Sequence, residues 1–122
     1  MTPVLRVDSV VLGSARIEAA VALYRALGLP LVEERHEDGA AHYACEIGGA
    51  HFAIYPAAEG EAAPRGTGGF TQVGFQVRSL EDAFAAARAA GAGVLVPPEE
   101  VPWGRRAVIT DPDGRPVELN QG

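Results

Sequence analysis

Val10-Val11-Leu12-Gly13-Ser14-Ala15-Arg16-Ile17-Glu18-Ala19-Ala20-Val21-Ala22-Leu23-Tyr24-Arg25-Ala26-Leu27-Gly28 is answered, 63 positions later, by a second stretch of the same grammar that runs from Val73-Gly74-Phe75 to Arg88-Ala89-Ala90-Gly91. In this register Ile17 falls on Leu80, Glu18 on Glu81, Ala20 on Ala83, Arg25 on Arg88, Ala26 on Ala89 and Gly28 on Gly91. It carries on through Leu31 on Val94 and Ala44 on Ala107; the second copy then needs two more residues in its last turn, and Gly49 falls on Gly114. Self-similarity at a fixed offset is the sequence sign of a duplicated structural unit.

Each copy reads strand, helix, then three strands. The first strands, about 5–12 and 71–77, are rich in β-branched and aromatic residues. Ser14 is expected to cap the first helix, and Ser79 the second, with Asp82 three residues on as a weak capping box. Ile17, Val21, Tyr24 and Leu27 recur at helical spacing, as do Leu80, Ala83, Phe84 and Ala87. Gly28 and Gly91 stand where a left-handed residue ends a helix. The remaining strands are predicted over about 31–35, 41–47 and 51–55, then 93–96, 106–110 and 116–120. Turns fall at Glu37-Asp38-Gly39, Gly48-Gly49 and, most clearly, Asp111-Pro112-Asp113-Gly114, where Pro fixes one φ and Gly accepts a positive one.

The expected organisation is a single α+β domain of two tandem βαβββ modules, one at about 4–56 and one at about 70–120. They are joined by a glycine-rich, polar linker over 57–69. One copy alone has a helix on one sheet face and nothing on the other, so it needs a partner surface. That surface is the other copy or a second chain, and a homodimer is expected.

Composition narrows the function. The 122 residues are 48% hydrophobic, enough for one core, and no apolar run reaches bilayer length. The N-terminus lacks the charged start, apolar stretch and small-residue cleavage site of a secretory signal, so a cytoplasmic protein is expected. A net charge of −6 argues against a nucleic-acid partner. All ten basic residues are Arg, which excludes a lysine Schiff base. The single Cys45 can form no internal disulfide and reads as a small buried hydrophobe.

The duplication resembles the vicinal-oxygen-chelate superfamily: glyoxalases, bleomycin resistance proteins and extradiol dioxygenases. The resemblance rests on Trp103-Gly104, the Asp111-Pro112-Asp113-Gly114 turn, the strand ending Glu118-Leu119, and the Leu23-Tyr24-Arg25-Ala26-Leu27-Gly28-Leu29 helix end, and it covers nearly the whole chain. It implies a curved, mixed but mainly antiparallel eight-stranded sheet forming a cleft. It also implies that metal-dependent members place one ligand in the first and one in the last strand of each module. Here those positions hold Ser9, Ala53, Gln72 and Glu118, and only Glu118 is a good ligand for a divalent transition metal. No cofactor is expected. The alternative is a relocated divalent metal (zinc, nickel, iron or manganese) on His42, His51 and Glu118; His36, beside a turn, is expected in solvent.

Without a metal, the resemblance implies a cleft that binds a small organic molecule, with drug sequestration of the bleomycin-resistance kind as one form of it. The expected lining is Ser9, Tyr43, Tyr55, Gln72, Trp103 and Glu118, with Trp103 near the rim as a stacking surface. Phe52, Phe75 and Phe84 are expected in the core. Strand alternation sends one of Arg105 and Arg106 into the cleft and the other away from it. The competing reading is a lyase, isomerase or dioxygenase in which Glu118 serves as general base; a non-catalytic interaction domain is the third.

Overall fold

The computed structural model describes residues 3–35, 41–58 and 72–122. Two four-stranded mixed sheets carry one helix each, in the order β1 (Ser9–Ser14), α1 (Ile17–Ala26), β2 (Val32–Glu34), β3 (His42–Ile47), β4 (Ala50–Pro56), then β5 (Val73–Gln76), α2 (Leu80–Ala89), β6 (Gly93–Val101), β7 (Gly104–Thr110), β8 (Pro116–Gln121). Strand order is β1-β4-β3-β2 in one sheet and β5-β8-β7-β6 in the other. In both, the first strand runs parallel to the last and the other pairs are antiparallel. The duplication read from the sequence is therefore the architecture. The eight strands form two halves, and among the described residues no hydrogen-bonded ladder joins β1 to β5.

Period-2 alternation divides each sheet into two faces. Leu12, Phe52, Ile54 and Cys45 point to the helix side in the first module, and Val73, Ala107, Ile109, Val117 and Leu119 in the second. Tyr24, Leu23, Leu80 and Ala87 of the helices close over them, giving one core that spans both modules. Tyr24, Phe52 and Phe75 form its aromatic centre, with ring centroids 5.3 to 6.3 Å apart. Phe75 and Phe84 are partly buried against this core, and Phe52 lies within it. Cys45 is buried too, and burial pushes its thiol up, away from the reactive thiolate.

Several boundaries move. Residues 5–8 are not strand: β4 begins at Ala50 after the Gly48-Gly49 turn, so the parallel ladder starts at Ser9 opposite His51. β6 is longer than its sequence suggested, passing through Pro97-Pro98 with register shifts on either side of Val96; prolines are tolerated because β6 is a sheet edge. Gly28 and Gly91 have φ of 102° and 97°, the expected helix ends. Thr71, His36, the 37–39 turn and most of the linker lie outside the described residues. No helix among the described residues is long and apolar enough to cross a membrane.

The first helix cap is not the expected one. The N-cap residue of α1 is Arg16, without a side-chain cap, whereas Ser79 does cap α2 by accepting from the Asp82 amide at 3.2 Å. Ser14 instead donates its hydroxyl to Asp113, and Asp113 accepts the Ala15 amide at 2.9 Å. Ser14 Oγ also accepts the Arg16 amide at 3.0 Å, so a carboxylate from the other module holds both the backbone just before α1 and the hydroxyl that meets the N-cap amide. The same turn is tied further in. Asp111 accepts from the Tyr24 hydroxyl (2.8 Å), the Arg115 guanidinium (2.7 Å) and the Asp113 and Arg115 amides, while Arg115 also donates to the Gly13 carbonyl at 2.8 Å. Ser14, Asp111, Asp113 and Arg115 are all buried. The Asp111–Arg115 turn is a polar plug that fastens the second module onto the first.

Candidate functional site

Each sheet has a helix-free face, and the two differ in chemistry. In the first module this face carries Ser9 and Val11 of β1, His42, Ala44 and Glu46 of β3, and His51, Ala53 and Tyr55 of β4. Tyr55 lies flat on the His42 imidazole, with centroids 4.3 Å apart and planes 6° from parallel. His42 Nε2 meets Glu34 at 3.0 Å, and His51 Nδ1 meets Glu46 at 2.9 Å. Tyr43 falls on the opposite face: it alternates with His42 and Ala44, packs on the core, and has the Arg25 guanidinium 5.6 Å from its ring centroid. Its expected place in the cleft is therefore corrected.

In the second module the helix-free face centres on Glu118. Gln72 donates to Glu118 Oε2 at 3.2 Å and Asn120 donates to Oε1 at 2.9 Å. Arg106 Nε stands 3.7 Å from Oε2 and makes no hydrogen bond, while its Nη1 reaches Glu99 at 3.4 Å. Arg105 points the other way, to Glu81 of α2 and to Glu100, so the two arginines divide between the faces as alternation requires. Glu118 keeps 20% of its side chain exposed.

Trp103 stands at the β6–β7 turn and is 58% exposed. Its indole N–H donates to Asn120 Oδ1 at 3.1 Å, which fixes the plane of the ring. Beside it opens a cavity of about 360 Å3 lined by Gly74, Phe75, Gln76, Trp103, Asn120 and Gly122. That volume lies within the range of small-molecule sites. Gly74 faces Glu118 across the β5–β8 ladder, and a Cβ added there would come no closer than 3.8 Å to Glu118. The missing side chain leaves room next to the carboxylate. A second cavity of about 280 Å3 runs between the modules, from Val10, His51 and Phe52 to Val73, Gly74 and Gln76.

The four family ligand positions bring together a hydroxyl, a methyl, a carboxamide and one carboxylate. That donor set does not fit a divalent transition metal, which takes three or four His, Cys or carboxylate ligands. The alternative trio is not assembled either: His42 is engaged by Glu34, His51 by Glu46, and Glu118 by Gln72 and Asn120. Among the described residues no three His, Cys, Asp or Glu form a group suited to a metal. Sequence reasoning named Gln72, Trp103 and Glu118, which the structure connects through Asn120. It passed over Asn120, Gln76, Gly74 and Glu99, although Asn120 shares a face with Glu118 by alternation alone; Gln76 joins them through the β5–β8 register.

The family model described as Glyoxalase/Bleomycin resistance protein/Dioxygenase superfamily matches residues 6–119. No curated protein matches the chain. Among solved structures, TioX from Micromonospora sp. ML1 is 25% identical, with a TM-score of 0.70 over 95% of this chain and 98% of its own. TnmS3, an antibiotic binding protein from Streptomyces sp. CB03234, is 20% identical, with a TM-score of 0.68 over 99% of this chain and 98% of its own. A glyoxalase-related enzyme from Fulvimarina pelagi is 21% identical, with a TM-score of 0.74 over 98% of this chain and 89% of its own. The last two likenesses bear on the fold alone.

Proposed function

The chain belongs to the glyoxalase/bleomycin resistance protein/dioxygenase superfamily, and from that premise we propose that it is a binding protein whose second module holds a small planar organic molecule without a protein-bound metal. A shared fold does not carry one chemistry, so the reading rests on the site. The observation that carries it is the exposed Trp103 indole, held by Asn120 at the wall of a cavity that Gly74 leaves open, with Gly74 standing opposite Glu118 in the β5–β8 ladder. An exposed indole held in one orientation loses little conformational freedom on stacking against a ring. Gln76 and Asn120 supply polar contacts that orient a guest beside the Phe75 and Trp103 rings. That a structural neighbour is described as an antibiotic binding protein accords with sequestration of a drug-like guest.

Trp103 is the only tryptophan, so its emission reports occupancy. A screen of planar heteroaromatic compounds should find ligands that quench it saturably. Gly74→Leu, which fills the cavity at a position of ordinary backbone geometry, should weaken them at least tenfold while thermal stability falls little. Saturable binding that survives Gly74→Leu and Trp103→Ala unchanged would place the guest elsewhere. One zinc, nickel or iron ion retained per chain through purification would sink the metal-free reading.

A further inference from the structure

Resting on that reading of the site, we infer that the guest is a cation: a planar ring carrying an amine or amidine that docks its N–H groups on Glu118 while the ring lies against Trp103. The charge count on this face supports it. Among the described residues Glu99, Arg106 and Glu118 are its ionisable groups, two carboxylates against one guanidinium. Arg106 divides itself between them, at 3.4 Å to Glu99 and 3.7 Å to Glu118, and makes no hydrogen bond through Nε. Glu118 is therefore left with two neutral donors, Gln72 and Asn120, and an incompletely compensated charge.

Each Glu118 oxygen accepts one of these bonds, so lone pairs remain for a further donor. A charged donor there makes the stronger class of hydrogen bond. The indole adds to this, since the face of a Trp ring attracts a cation placed over it. One carboxamide, that of Asn120, links Trp103 Nε1 to Glu118 Oε1 through bonds of 3.1 and 2.9 Å. The ring and the carboxylate are thus only one carboxamide apart. An anionic guest would meet the net negative charge of the face and would have to break Arg106 away from both carboxylates.

The test uses three acridines of one shape: 9-aminoacridine (a cation at neutral pH), acridine (neutral at pH 8) and acridine-9-carboxylate (an anion). Binding is followed by Trp103 quenching and by calorimetry at low and high salt. The expected order is cation tightest, by at least tenfold over acridine, with the anion weakest and the cation's advantage shrinking as salt rises. In Glu118→Gln that advantage should collapse to within about twofold. In Glu99→Gln it should fall several-fold, because Arg106 is then free to neutralise Glu118. Acridine binding as well as 9-aminoacridine, or a preference that Glu118→Gln leaves standing, overturns the cation while the stacking site survives. Failure of all three to bind overturns the site and the inference together.

Discussion

Asp111 and Arg115 face each other at 2.7 Å with 0% and 5% of their side chains exposed, so almost no water screens either charge. Removing one partner of such a pair leaves the other buried and unpaired. Asp111→Ala should cost about 3–5 kcal/mol by urea unfolding. Tyr24 feels the same carboxylate. Burial, and then the charge of Asp111, hold its phenol well above the ordinary value of 10.0. The folded state thus prefers the protonated phenol, and that preference stabilises the fold fully below pH 10. As pH climbs past 10, the unfolded chain releases the proton first and stability falls. Melting temperature should drop between pH 9.5 and 11, and Tyr24→Phe, though less stable at neutral pH, should show a flatter decline. An equally steep decline in that variant would remove Tyr24 from the account.

At the level of elements, the two helices begin alike in sequence and differently in space. Ser79 caps α2 locally, so Ser79→Ala should cost about 1 kcal/mol. Ser14 answers to Asp113, so Ser14→Ala and Asp113→Ala should not add: a double-mutant cycle should give a coupling of about 1–3 kcal/mol. Additive losses would mean that Ser14 acts as an ordinary cap. The duplication, the order of the elements and the two glycine helix ends were legible because spacing and turn chemistry are local. The role of the Asp111–Arg115 turn was not: Pro and Gly announce a turn, but its partners Gly13, Ser14 and Tyr24 are 87 to 102 positions away. Tyr43 was misplaced for a similar reason, since only the register of β3 against β4 shows which side of the sheet it takes.

For the whole molecule, the strands were legible but not where they stop. Val4, Leu5 and Val7 look like the start of β1, yet among the described residues they find no sheet partner, and Leu5 is 94% exposed. The segment is held by the Arg6 guanidinium on the Gly49 carbonyl and by the His51 amide on the Asp8 carbonyl. Contiguous exposed apolar residues mark contact surfaces, and a homodimer that covers them is the expected state. Sedimentation at micromolar concentration should give twice the 12.7 kDa chain mass, and Leu5→Glu with Val7→Glu should shift it toward one. A monomer in the unmodified protein would refute this.

The polar plug also acts as a pairing code. Advance its sockets by one repeat and Ser14 becomes Val77, while Tyr24 becomes Ala87. The turn that would reach them, at Gly48-Gly49, is two residues shorter and holds no aspartate. On that side the seam stays open as an unfilled groove of about 520 Å3 between the end of α1 and the start of α2. A second module can therefore recognise a first module but not another second one, and two first modules lack the key altogether. Whether the halves come from one chain or are traded between two, the only match that satisfies Asp111 and Asp113 is heterotypic, so duplication has here given two near-copies that cannot mistake each other.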